Sequence, residues 1–182
     1  MVQRCQWIQD KPDFYVAYHD TVWGKPCYND RELFQWLTLE VFHSGLSWQL
    51  VLSKLDDFQQ AFDGLDPEKI SQYTACDVER LMNNPKIIRH RRKIEATIQN
   101  AQSFLAIKEE WGSFSRYIWH FTQNKPVIRK DGEAMQTRSA LSDQVTQDMK
   151  QKGFKFIGST TIHSYLQGIG VINDHDETCL FK

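Results

Sequence analysis

Residues 30–48 read DRELFQWLTLEVFHSGLSW. Leu33, Trp36, Leu37 and Val41 return at helical spacing and mark one apolar face. Asn29 or Asp30 can cap a helix from Arg31 to about His43, and Gly45 can end it. Glu40 falls on the same face, three residues after Leu37 and seven after Leu33. A carboxylate is almost never fully buried without a partner. An Arg is the ordinary partner; the positive charge of a ligand is the other.

Outward from this helix the chain reads as a succession of short helices, and the class is all-α. Ser47 opens a helix over WQLVLSKLDDFQQAF, with Trp48, Val51, Leu52, Leu55 and Phe62 as its apolar stripe. Asp66 and Pro67 are a natural cap and first helical residue. Thr74 and Asp77 form a capping box, and NNP stops that helix. A longer helix is expected from about Arg89 to Glu110, and Ser113 caps SFSRYIWHF. Ser142 or Ala140 opens a polar helix through Lys152, and a final helix runs from Ser159 to Gly168, before a polar tail around NDHDETC. PVIR at 126–129 is the one plausible extended piece.

Composition bounds the partners. Hydrophobic residues make up 41% of the 182 and charged residues 25%, as in an ordinary globular protein. The net charge is −1, so a polyanion must be held by a local patch. No stretch approaches the ~20 apolar residues of a membrane span. MVQRCQWIQD lacks the apolar core of a signal peptide, so a cytoplasmic protein is expected. One unit over 1–182 is expected, because neither a repeat nor a low-complexity linker interrupts the chain.

Four features carry chemistry. Cys5 and His19 have thirteen residues between them, and His175 and Cys179 three. Two Cys with two His make a tetrahedral metal set, but C-x13-H is not a specific signature, and ordinary core or surface roles stay open. Trp7, Phe14, Tyr15, Tyr18, Trp23 and Tyr28 crowd the N-terminal segment; they are core, or they hold a flat cationic ligand with Glu40 as counter-charge. Lys86, Arg89, Arg91, Arg92 and Lys93 gather at an inter-helix turn, where a solvated face and a phosphate site are both open. Leu46, after Gly45, packs inward or wedges into a base stack.

Together these features resemble the bacterial 3-methyladenine DNA glycosylase I family of the helix-hairpin-helix superfamily. The likeness is carried by RCQWIQ, YVAYHDTVWGKP at 15–26, LFQWLTLEVFHSGLSWQLVL at 33–52 and IIRHRRKIEATIQNA at 87–101. GFKFIGSTT at 153–161, SYLQGIGVINDH at 164–175 and Cys179 complete it. The resemblance implies a compact helical bundle with its hairpin at about 83–101. It implies one structural zinc on Cys5, His19, His175 and Cys179, tying residues 1–20 to 170–182. It implies a monomeric enzyme that flips N3-methyladenine out of alkylated double-stranded DNA and releases it without strand cleavage. Glu40 matches the functional carboxylate, Tyr18 a hydrogen-bonding partner of the base, and Trp48 the ring that stacks on it. Trp7, Trp23, Tyr15 and Ser164 match the pocket wall. Gly45 and Leu46 match the loop that enters the duplex, and Lys86, Arg89 and Lys93 fall in the phosphate-binding region.

The chain departs from the pattern at several places. His43 stands where Gln is common, Val41 and Lys86 where Gly is common, and His163 in a variable pocket-side position. A shifted alkylpurine specificity and a lesion-binding module without turnover are the alternatives these departures raise.

Overall fold

In a computed structural model describing residues 2–182, helix α2 (Asp30–His43) runs through the middle of a helical body. Every side chain from Trp36 to Phe42 is buried, so the single apolar stripe is too narrow a description. Thr38, Leu39 and Phe42 face packed neighbours as well, as in a helix covered on all sides. The Asn29 side-chain oxygen caps it, accepting N–H bonds from Arg31 (3.0 Å) and Glu32 (3.2 Å).

Four helices pack against α2. They are α3 (Trp48–Leu52), α7 (Arg91–Trp111), α8 (Phe114–His120) and α10 (Ser159–Gly168). The remaining helices are α1 (Asp13–Thr21), α4 (Leu55–Ala61), α5 (Pro67–Ile70), α6 (Ala75–Met82) and α9 (Ala140–Gln151). Buried residues from Cys5 to Cys179 form one continuous cluster. No helix among the described residues is long and apolar enough to cross a membrane.

Local chemistry sets most boundaries. Asp66 with Pro67, and Thr74 with Asp77, cap as their spacing predicts. The single helix expected after Ser47 instead breaks between α3 and α4. There the Ser53 hydroxyl donates to Leu50 O (2.8 Å), a local bond of the kind that competes with helical pairing. Helix α7 begins at Arg91 rather than Arg89, because His90 caps it by accepting the Lys93 N–H (3.3 Å). Helix α9 opens at Ala140, one of the two starts expected, with Ser139 as its cap.

Two short strands, β1 (Val127–Ile128) and β2 (Ile172–Asn173), pair in parallel, with Val127 opposite Ile172. The first lies in PVIR; the second ends on Asn173, the first residue of the stretch read as a polar tail. Their pairing draws the C-terminal segment onto the body. Arg129 extends the hold, donating to Asp174 O (2.8 Å) and Asp176 Oδ1 (2.9 Å). The Gln6 N–H donates to Asp176 Oδ2 (2.8 Å), and the Leu180 N–H to Gln3 O (3.0 Å). The two ends of the chain therefore meet.

Candidate active site and metal cluster

Glu40 is 4% exposed, and it lines a cavity of about 170 Å³. The wall is assembled from residues one helical turn apart, which share a helix face. Helix α1 supplies Tyr15 and Tyr18, α2 supplies Glu40 and His43, and α10 supplies Ser164 and Gln167. Trp48 enters as the first residue of α3, Trp7 and Trp23 flank α1, and Met135 comes from the loop before α9. The Tyr18 and Trp48 rings lie 5.4 Å apart and Trp7 and Trp23 4.9 Å apart, so the wall is largely aromatic. The buried indole N–H groups of Trp7 and Trp48 have no partner among the described residues.

Glu40 is not paired with an arginine. The His43 Nδ1–H donates to its Oε2 at 2.9 Å. Burial pushes the Glu40 carboxyl above its ordinary pKa, and the His43 bond works in the opposite direction. Burial also raises Tyr15 to about 12, and Tyr18 well above its ordinary value, with the Glu40 charge adding to both. Both phenols thus stay protonated at neutral pH. The cavity combines flat faces with a desolvated carboxylate, and a cation beside that carboxylate would offset its desolvation.

Cys5, His19, His175 and Cys179 are all buried, and their ligand atoms lie within 4.8 Å of one another. The His19 Nδ1–H donates to Asp20 Oδ1 (2.8 Å), and Arg4 holds Asp20 from Nε and Nη2. The His175 Nδ1–H donates to Asn173 Oδ1 (2.8 Å), leaving its buried Nε2 without a partner among the described residues. Outer bonds of this type fix a ligating imidazole with its other nitrogen free for a metal. Burial lowers His175 to about 4, so its ring is neutral, as metal binding requires. The donor set fits a metal ion. Gly24 (φ +72°) makes room beside it: a Cβ there would sit 2.6 Å from His175 Cε1.

The loop after α2 turns at Gly45 (φ +80°), where an added Cβ would meet nothing within 4 Å. Leu46 follows, 38% exposed. Lys86 and Arg89 lie exposed on the turn between α6 and α7, and neither makes an ion pair among the described residues. Lys86 does not take a positive φ, so the absence of Gly there brings no backbone strain.

Two expectations are corrected. Lys93 is not a surface cation: it is 4% exposed, and its Nζ donates to Phe42 O (2.9 Å) and Ser44 O (2.6 Å). It caps the C-terminus of α2 and holds the Gly45–Leu46 loop, which removes it from the phosphate contacts. His163 is not on the base-sized cavity either; it is buried between Ser139 and Asp174. Met135 and Gln167 were missed. The i, i+3 spacing from Ser164 could have found Gln167, whereas Met135 sits in a loop without periodicity. His43 stood out only as a departure, although its i, i+3 spacing from Glu40 already permits their bond.

A helical body with a ring-walled cavity over a buried carboxylate, beside a loop carrying an exposed leucine, has flat faces and a polar group on which a planar ligand could be held. The chain belongs to the methyladenine glycosylase family, whose pattern matches residues 7–182. It is similar to the DNA-3-methyladenine glycosylase of Haemophilus influenzae, 38% identical over 184 residues, spanning 100% of this chain and 99% of the relative. The DNA-3-methyladenine glycosylase 1 of Escherichia coli is 36% identical over 180 residues, spanning 98% and 96%. Among solved structures, a 3-methyladenine DNA glycosylase I variant in complex with 3-methyladenine superposes with a TM-score of 0.94 at 39% identity. The overlap covers 98% of this chain and 97% of that one.

Proposed function

We propose that this chain is a base-excision repair glycosylase that releases N3-methyladenine from alkylated double-stranded DNA and leaves an abasic site with the strand intact. One observation carries the reading: the carboxylate of Glu40 is buried in a ring-walled cavity with no arginine to neutralise it. The full-length relatives named for this activity support it.

Methylation at N3 makes the adenine cationic and weakens its glycosidic bond. The base then leaves neutral, so the enzyme need not protonate it. Selective capture of the extruded base, with water as nucleophile, supplies the catalysis. Glu40 offers the counter-charge, Tyr18 a hydroxyl donor and Trp48 a stacking face worth about 1–3 kcal/mol. Trp7, Tyr15, Trp23 and Ser164 complete the wall. Leu46, presented by Gly45, fills the gap left in the stack. Lys86 and Arg89 hold backbone phosphates at a helix–turn–helix of hairpin type.

Cys5, His19, His175 and Cys179 bind one zinc ion, whose set of four protein ligands makes it structural. Such binding contributes on the order of 10–16 kcal/mol to the folded form. The protein works as a monomeric unit on DNA in the cytoplasm.

Chromatography of bases freed from methylated duplex DNA tests the activity. N3-methyladenine is expected in the supernatant. A different alkylpurine would shift the specificity, and tight binding to abasic-analogue DNA with no release would make the chain a lesion-binding module.

A further inference from the structure

Burial takes Lys93 off the phosphate face, and the segment packed against it presents a different lysine to solvent. Residues 153–158, GFKFIG, join α9 to α10 and lie along α7. Asn100, on α7 and 2% exposed, grips the backbone of Lys155 from both sides. The Lys155 N–H donates to Asn100 Oδ1 (2.7 Å), and Asn100 Nδ2–H donates to Lys155 O (3.1 Å). The next residue, Phe156, takes φ +58°, a left-handed conformation in which bulky side chains are rare. Strain of this kind costs roughly 1–3 kcal/mol and persists only where the surroundings impose it.

The surroundings here are the other two loops on this side of the molecule. The Phe156 ring lies 5.7 Å from the ring of His90, which caps α7, and 5.6 Å from Lys93 Nζ. That Nζ also donates to Ser44 O, one residue before Gly45. The turn between α6 and α7, the Gly45–Leu46 loop and residues 153–158 therefore meet around one buried ammonium. Lys155 itself is exposed, and its side chain makes no ion pair or hydrogen bond among the described residues. Nearby cations differ: Arg91 is tied to Glu79 (2.7 Å) and Lys152 to Glu110 (3.0 Å).

We propose that residues 153–158 form a third DNA-contacting element, beside the turn and the Gly45–Leu46 loop, and that Lys155 takes a backbone phosphate there. Duplex DNA as the partner rests on the excision reading above. A net charge of −1 gives no general attraction for a polyanion, so each contact depends on a cation not already neutralised. Lys155 joins Lys86 and Arg89 in that state. Neutralising one more phosphate releases counterions condensed on the DNA, which favours binding. The Asn100 bonds fix the Lys155 backbone before DNA arrives, so less is left to be ordered on association. Phe156 ties that backbone to the turn carrying Lys86 and Arg89, and the three cations keep one spacing when they meet a duplex.

The test measures binding of the full chain to undamaged duplex DNA over a range of salt concentrations. In Lys155→Met the slope of log K against log salt should fall by about 0.9, and Kd at about 0.1 M salt should rise about fivefold to tenfold. Lys155→Arg keeps the charge and should keep the slope. Lys69→Met is the control for net charge: Lys69 is exposed on α5, which reaches the other end of α7 through Glu68 and Lys108 (3.2 Å). Its slope should match that of the natural protein. An unchanged slope in Lys155→Met overturns the proposal, as does an equal fall in Lys69→Met or in Lys155→Arg. Release of base from methylated duplex is followed alongside. An unchanged slope with normal release of N3-methyladenine sinks the phosphate contact alone. The expected slopes with no base released would sink the excision reading and leave the contact standing. Failure of the natural protein to bind duplex overturns both.

Discussion

Replacing Lys93 by Met separates a structural cation from a DNA contact. The substitution keeps the apolar stem and deletes the ammonium that donates to Phe42 O and Ser44 O at 2.9 and 2.6 Å. Hydrogen bonds from a charged donor are worth about 1.5–3 kcal/mol each. Ser44 is exposed, so water recovers most of its share, whereas Phe42 is buried and its carbonyl loses its partner. The cation also complements the C-terminal end of the α2 dipole. Against these gains stands the burial of the ammonium, which lowers the Lys93 pKa and which Met avoids. The balance leaves a loss of about 2 kcal/mol, equivalent to roughly 4–8 °C in Tm for a chain of this size. Calorimetry gives the Tm, and a salt titration of binding to undamaged duplex gives the number of phosphates neutralised. The slope of log K against log salt should not change. An unchanged Tm with a slope reduced by about 0.9, the signature of one lost phosphate contact, would refute the reasoning.

Glu40→Gln should cost on the order of a hundredfold in kcat/KM for methylated DNA. Its effect on stability has the opposite sign. A carboxyl whose folded pKa is raised destabilises the protein as pH climbs above the unfolded value of about 4.3, with the loss complete above the folded pKa. Thermal melts of the variant should therefore gain on the natural protein as pH rises through the acid range, and a growing deficit would contradict it. Removing the metal with a chelator should release one zinc per chain by elemental analysis and lower Tm by about 10 °C or more. Protein that contains no metal when purified undenatured would count against the cluster. Leu46→Ala should weaken binding to abasic-analogue duplex several-fold yet leave the affinity for a free cationic adenine intact; equal loss for both ligands would place Leu46 in the pocket instead. Arg89→Ala should lower the salt slope by about 0.9, and an unchanged slope would make that turn a solvated face.

Elements whose stop and start signals are local were legible in the sequence. Helix α10 spans the residues read for it, Ser159 to Gly168, and the caps at Asp66 and Thr74 follow from side chains within three residues of the amides they serve. The place of Glu40 on a cavity wall was legible for a different reason: a charge on an apolar face conflicts with burial, and such a conflict points to a candidate site. Lys93 was not legible. It sits in a run of basic residues and becomes buried only because the end of α2, about fifty positions earlier, presents carbonyls to it. The β1–β2 pair is equally non-local, joining two residues at 127–128 to two at 172–173 with no alternation to announce either. Of the two partners weighed for Glu40, an arginine is not found among the described residues, and the side chain that bonds it is a histidine on the same helix, one turn away.

The cysteine and histidine quartet closes a circuit between the oldest and youngest parts of the chain. Cys5 already receives a bond from the amide of Asp176, 171 positions later, so the donors assemble only after nearly everything between them has settled. Loop-closure entropy over such a span disfavours its early formation, so an ion bound there would work as a latch rather than a seed. A molecule caught before that last snap would be nearly native in its middle and frayed at both extremities, the form a protease could sort from finished enzyme.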